Sequence, residues 1–380
     1  MKESWTYKKL GEVCEILDSE RKPVTKADRI SGIYPYYGAT GIQDHVDKYI
    51  FDGDYLLVGE DGAKWGTSDK TAYQIHGKCW VNNHAHILKV NDDVANTSFL
   101  EYYLVWKDLR PFITGAIVQK LTQAALVSIP IPVPPLSTQS RIVAELDLLQ
   151  SLIDKQKAQL KEYDTLAQSI FYDMFGDPVE NEKGWEVKKL GEITVKYSDG
   201  PFGSNLKSEH YQQTGVRVIR LQNIGVNTFI DLDQAYISED HYGTLSKYSC
   251  YPGDIVIGTL GEPNLRACLI PNTIQKAINK ADCVLCRVRK DIISNTFLCM
   301  VLNEKGFVDT QCQSFSHGQT RTRISAGQLK KSLIPVPPLS LQQSFAQKIE
   351  SIERQKELIN QSIREARALF DSRMEYYFGE

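Results

Sequence analysis

The heptapeptide IPVPPLS stands at Ile131–Ser137 and again at Ile334–Ser340, 203 positions later. Its paired prolines hold the backbone extended and keep a helix from starting early. The closing Ser is a favoured N-cap, so Ser137 and Ser340 are expected to launch helices. Behind each copy runs a polar stretch without Pro, in which apolar residues step alternately by four and three. In the first stretch these are Ile142, Leu146, Leu149, Ile153 and Leu160; in the second they are Phe345, Ile349, Ile352, Ile359 and Ile363. That spacing is a heptad seam, over helices of roughly 38 residues and about 57 Å. Long helices with a narrow seam need a partner, and two of matched length in one chain suggest each other as an antiparallel coiled coil; the alternative is two independent helices, each packed on its own domain. Gln156 and Lys356 interrupt the seam and read as register devices or solvent-facing edges.

Other landmarks repeat in the same order. W-x4-LGE occurs at Trp5 to Glu12 and at Trp185 to Glu192; Gly53-Asp54 answers to Gly253-Asp254, Phe99-Leu100 to Phe297-Leu298, and Phe175-Gly176 to Phe378-Gly379. From the proline phrase to the FG pair the spacing is identical in both halves, whereas from LGE to GD the second half is 20 residues longer. A tandem repeat follows, with a frame of fixed dimensions and two heads that diverge. The expected fold class is α+β: two strand-rich heads, 1–136 and 177–339, alternating with a central helix, 137–176, and a C-terminal helix, 340–380.

Composition narrows the function. The 380 residues are 42% hydrophobic and 24% charged. No stretch of 18 apolar residues and no signal-like apolar run is present, so no membrane role and a cytoplasmic location are expected. Eight cysteines in a chain of this length read as reduced thiols. The lone CxxC at Cys283 and Cys286 lacks a second ligand pair, and His84 and His86 alternate on one strand, so no metal site is expected. The net charge is −3 and no segment is strongly basic, so nucleic acid could be held only with partners supplying much of the phosphate contact.

Catalytic signatures are missing. There is no phosphate-binding GxxxxGK[ST], no Asn/Asp-Pro-Pro-aromatic tetrapeptide of amino-methyltransferases, no GxSxG and no HExxH. GEDGAK at Gly59–Lys64 has acid and lysine spacing faintly like a nuclease core, which a strand-end turn explains more simply. What remains is a set of polar and aromatic loops. In the first head they carry Tyr36, Tyr37, Lys64, Trp65, Gln119 and Lys120; in the second, Ser204, Asn205, Lys207, Arg220, Gln222, Asn223, Gln319, Arg321 and Arg323. Asn, Gln, Arg and Lys are the residue types that read base edges, and Ser, Thr and Lys hold phosphates.

The order W-x4-LGE, GD, IPVPPLS, FG, written twice around heptad helices, resembles the DNA-specificity subunit of type I restriction-modification systems over residues 5–379. YPYYGATGI with LLVGEDGA resembles one type of target recognition domain, and DGPFGSNLKS with VIRLQNI another. The resemblance implies a non-catalytic subunit whose heads each read one part of an asymmetric, gapped site in double-stranded DNA through the major groove. The paired helices would set the gap and dock two methyltransferase subunits, which restriction translocase subunits join. This chain would bind no cofactor of its own; the partners would use S-adenosylmethionine, ATP and Mg. The competing reading is an interaction scaffold with peptide- or glycan-binding heads, which gives no reason for duplicated heads with divergent amide- and Arg-rich loops. Because the heads differ, the half-sites should differ, whereas identical heads would give a palindrome.

Overall fold

The computed structural model describes residues 5–312, the backbone of 316–317, and 323–379. It forms two compact units, Met1–Ala158 with Asn360–Glu380, and Gln159–Ile359. The segments read from sequence follow the chain; packing instead joins each head to portions of both long helices.

The proline phrase is a strand before it is a helix start. Pro130–Val133 pairs antiparallel with Thr6–Lys9, placing Thr6 opposite Val133 and Lys9 opposite Pro130. Leu333–Val336 pairs with Glu186–Lys189 in the same manner. A two-stranded edge tolerates prolines, which have no N–H to give a central ladder. The pairing staples the two ends of each head together just before the helix leaves. It also accounts for LGE: Leu10 and Leu190 are fully buried, and Glu12 and Glu192 accept the backbone N–H of Lys9 (2.6 Å) and Lys189 (2.9 Å).

The helices, α1 (Leu136–Phe175) and α2 (Leu339–Phe378), have 40 residues each, about 60 Å of rise. Their starts correct the expectation about caps. The N–H groups of Thr138 and Gln139 bond to the Pro135 carbonyl, and those of Leu341 and Gln342 to the Pro338 carbonyl. Pro135 and Pro338 therefore cap the helices, and Ser137 and Ser340 lie inside the first turn. Proline suits the position because it has no N–H to leave unpaired there, while its carbonyl still accepts the first helical bond.

A second duplicated device fixes each helix to its head. Gln139, fully buried, accepts the Asn96 N–H (2.8 Å) and donates to the carbonyls of Val94 (3.1 Å) and Pro134 (2.8 Å). Gln342, equally buried, accepts the Ser294 N–H (2.8 Å) and donates to Ile292 (3.3 Å) and Pro337 (2.7 Å). Gln139→Leu strands three backbone groups and is expected to cost the first unit about 2–3 kcal/mol. Thermal denaturation followed by unit-resolved hydrogen exchange checks this, with Gln342→Leu giving the mirror result in the second unit.

The heads share a four-stranded order. In the first it is Cys14–Ile16, Ala85–Val90, Phe51–Gly59, Ala72–Val81; in the second, Thr194–Ser198, Cys283–Val288, Ile255–Gly258, Arg266–Leu269. They diverge beyond this core. The first head extends the sheet with Ser31–Gly38, parallel to Ala72–Val81, and then Gly41–Val46. The second builds a separate four-stranded sheet from Ala235–Ile237, Val216–Ile219, Ala277–Asn279 and Ser249–Cys250. Three of those strands, and the extra 20 residues, lie between LGE and GD.

Within the first unit, Ile142, Leu146, Ile153 and Phe370 join one core with Leu10, Phe99 and Leu100 of the head, and Leu149 and Ile363 pack against it half-buried. There Gln156 Nε2 donates to Ser362 Oγ (2.6 Å), and Glu145 pairs with Arg373 and accepts from Tyr377 Oη (2.6 Å). Within the second, Phe345 and Phe171 are fully buried with Leu190, Phe297 and Leu298; Ile352 is 6% exposed. Leu160, Ile349 and Ile359 are half-buried. Lys356 Nζ bonds Asp164 (2.8 Å). The first part of α1 meets the last part of α2 in one unit, and the reverse holds in the other, so the helices pack antiparallel in each. Gln156 and Lys356 are thus cross-helix polar ties. All eight cysteines are free and buried, Cys283 and Cys286 inside a strand. Among the described residues no helix is long and apolar enough to cross a membrane.

Candidate nucleic-acid interface

Polar loops gather at one corresponding end of the shared strands in each head. In the first, the N–H of Glu60 bonds the His84 carbonyl (2.8 Å) and the N–H of Leu121 bonds the Glu60 carbonyl (2.8 Å). In the second, Thr259 bonds Asp282 (3.0 Å) and Ile324 bonds Thr259 (2.9 Å). A short hairpin therefore lies against the strand end in both: Ile113–Thr114 with Lys120–Leu121, and Ser316–His317 with Arg323–Ile324. Lys120 bridges Asp61, and Arg323 bridges Leu260.

The first head's rim holds the turn after Gly59, with exposed Lys64, and the hairpin, with exposed Gln119 and half-buried Lys120. Below it is a buried ionic network. Lys120 Nζ pairs with Glu60 (2.6 Å), Arg21 with Glu60 (2.5 Å) and Asp18 (3.3 Å), and His86 Nδ1 with Asp18 (2.5 Å), while His86 Nε2 faces the Leu121 carbonyl (2.7 Å). Asp18, Glu60 and His86 are close enough together to suggest metal ligation. Arg21 and Lys120 already neutralise the carboxylates and both His86 nitrogens are engaged, so the cluster braces the hairpin rather than holding an ion. Burial alone would raise the Glu60 carboxyl, but hydrogen bonds from Lys120 and Arg21 and the charges of His86 and Arg21 hold it below the usual range. A lowered folded-state pKa stabilises the fold above the unfolded value and loses that contribution as pH falls through the folded value. Stability of the first unit is therefore expected to decline below about pH 4.5 more steeply in the native chain than in Glu60→Gln, as acid-unfolding curves would show.

The second head's rim brings together residues far apart in sequence. Ser204, Asn205 and Lys207 are exposed on the loop around Gly203–Asn205. Arg323 pairs with Asp282 and its guanidinium lies 5.5 Å from the Phe202 ring. Arg220 pairs with Asp233 and, like Lys280, faces Tyr211, at 5.6 and 5.4 Å. Asp199 Oδ1 accepts the N–H groups of Gly200 (2.8 Å) and Asp282 (2.9 Å), tying these loops together. Gln222 is exposed beside them in sequence.

Three candidates are corrected. Tyr36 is 1% exposed, with its hydroxyl on the Val24 backbone and Arg29 over its ring. Trp65 is 6% exposed in the core, its indole N–H bonded to Gly59 O (3.1 Å). Asn223 is fully buried, donating to the Ile230 and Asp233 carbonyls and accepting the Arg220 N–H. All three shape loops from inside; Tyr37 is half-buried, 6.0 Å from the Tyr73 ring. Gln319 and Arg321 lie outside the described residues.

Two residues escaped sequence reading. Lys280 lies in an unremarkable KAD triplet, and only the fold brings it to Tyr211. Arg266 donates to the carbonyls of Ile224 (2.6 Å), Leu221 (3.0 Å), Leu260 (3.0 Å) and Pro263 (3.0 Å), and so shapes the loop bearing Gln222. Arg266→Met is expected to destabilise the second unit by about 2–3 kcal/mol and to raise exchange at 221–224 and 260–263, readable by hydrogen-exchange mass spectrometry.

The family model for the type I restriction modification DNA specificity domain matches this chain twice, over residues 2–162 and 182–368. The chain belongs to that family. This specificity-domain protein is 29% identical over 380 residues to a putative type I restriction enzyme specificity subunit of Haemophilus influenzae, covering 98% of this chain and 93% of that one. It is 21% identical over 370 residues to a specificity subunit of Methanocaldococcus jannaschii, covering 92% and 86%. Its fold resembles the S subunit of the type I system from M. genitalium, with a TM-score of 0.58 and 14% identity over 98% of this chain and 95% of that one. A chain from a structure concerned with complex assembly and conformational transition of the type I R-M system gives a TM-score of 0.55 and 18% identity, covering 98% and 97%.

Proposed function

We propose that this chain is the non-catalytic DNA-recognition subunit of a type I restriction-modification complex. The observation that carries the reading is the duplicated family match over two heads that share a strand order and differ in their rims. Each head reads one half of an asymmetric, gapped site in double-stranded DNA. The exposed set is Lys64 and Gln119 in the first head and Ser204, Asn205, Lys207, Gln222 and Arg323 in the second. Amides and guanidinium groups suit base edges in the major groove; Lys and Ser suit phosphates. The helix pair sets the gap and docks two methyltransferase subunits, and restriction translocase subunits join that core. The partners carry S-adenosylmethionine, ATP and Mg and supply phosphate contacts that a chain of net charge −3 lacks. Such a complex works in the cytoplasm, with no membrane contact. Co-expression with a type I methyltransferase subunit, followed by sequencing of modified adenines, tests the reading. A gapped asymmetric motif is expected; unmodified DNA or an ungapped motif contradicts it.

A further inference from the structure

We propose that Ile117 and Val118, at the tip of the first head's hairpin, form an apolar wedge that inserts between stacked base pairs of the half-site this head reads. The proposal rests on the DNA-recognition reading above. Ile117 is 98% exposed and Val118 66%, side by side at the far end of the turn joining Ile113–Thr114 to Lys120–Leu121. Leaving two adjacent β-branched aliphatic side chains hydrated is unfavourable, and covering them on a ligand recovers that free energy.

The stem is built to bear load. Gly115 sits at φ +96, where a Cβ would come within 2.1 Å of the Val118 carbonyl oxygen, so the turn closes tightly only with glycine. At its base Leu121 is fully buried, and Lys120 reaches the buried Glu60 at 2.6 Å. Force on the tip therefore passes into the ionic network rather than bending a loose loop.

The repeat supplies the contrast. Moving 203 residues along the sequence takes Gly115 to Gly318, Lys120 to Arg323 and Leu121 to Ile324, and the tip Ala116-Ile117-Val118 to Gln319-Thr320-Arg321. Both roots hold a cation paired to an acid on the neighbouring strand end or turn, Glu60 or Asp282. The root is kept, and the sequence between the paired strands has changed chemistry: polar in the second head, apolar in the first. Apolar side chains cannot read a base edge by hydrogen bonding, but they unstack base steps and kink the duplex. The exposed Gln119 next to the wedge is placed to bond a base edge opened by that unstacking.

The test uses the full chain assembled with its methyltransferase and duplexes carrying 2-aminopurine at single positions across the half-site read by the first head. At least one probe other than the methylated adenine is expected to brighten. Ile117→Ser with Val118→Ser should return that probe to duplex brightness and weaken binding about tenfold, and Ile117→Phe should preserve the signal. Both residues are exposed, so unchanged melting of the double variant confirms an intact fold. Selective binding with every such probe quenched, or brightening that survives the double variant, overturns the wedge and leaves the recognition reading standing. A double variant that no longer assembles with the methyltransferase shows the tip to be a protein contact and also overturns it. Absence of any sequence-selective binding overturns both readings.

Discussion

Four residues inserted into both long helices, beside Gln156 in α1 and beside Ile359 in α2, are expected to lengthen the non-specific gap and leave both half-sites unchanged. Four residues add about 6 Å, close to one helical turn, which corresponds to roughly two base pairs at about 3.4 Å each. One turn returns the seam nearly to its face, so Ile142, Leu146 and Ile153 still enter the first core, Phe345 enters the second, and Ile349 packs against it. Neither helix contains an internal Pro or Gly to absorb the change by bending. The insertions must be made in both helices because each unit draws on both; inserting in one alone shifts the Gln156–Ser362 and Lys356–Asp164 ties out of register. Mapping of modified adenines reads the result. Altered half-sites, or an unchanged gap, would refute the division between heads that read and helices that measure.

The largest effect on stability is expected from the FG phenylalanines. Phe175 is 3% exposed, with its ring 4.6 Å from Phe297 and 5.2 Å from Phe345. Its counterpart Phe378 lies 5.3 Å from Phe99 and 5.7 Å from Tyr103. Each phenyl ends a helix by filling the core of a head, and truncating a buried Phe to Ala costs about 3–5 kcal/mol through lost burial and the cavity left behind. Phe175→Ala should therefore speed hydrogen exchange throughout Gln159–Ile359 while sparing the other unit, and Phe378→Ala should do the converse. Equal losses in both units from either change would show that the two cores do not behave as separate packing groups.

These two phenylalanines show what sequence makes legible. FG repeats at the offset of the proline phrase, so its importance is readable from linear order, but its burial against Phe297 or Phe99 is not. The heptad seam is legible for a related reason: every seam position is buried or half-buried, because helical period maps directly onto burial. Strand order in the heads is decided by non-local pairing, which leaves little local trace. Rim chemistry is the hardest to read. Tyr36 lies on a strand, Trp65 in a loop and Asn223 in a short helical turn; all three are residue types able to contact DNA, yet each spends its polar atoms on the backbone of its own head. Arg266 and Lys280 acquire their roles through strands brought together by folding. The glutamines of PPLSTQ and PPLSLQ could have been found, since Gln139 and Gln342 repeat at the same offset of 203; a buried amide satisfied by three backbone groups is what such a repeat signals.

The central claim is that two different heads on one frame read two different half-sites. It is tested most directly by a chain in which the second head, residues 177–339, is replaced by a second copy of residues 1–136, with both helices unchanged. Assembled with the methyltransferase and mapped by sequencing modified adenines, this chain should modify a palindromic site: two inverted copies of the first half-site around a gap. A site that keeps the original second half-site, or any asymmetric motif, would contradict the account.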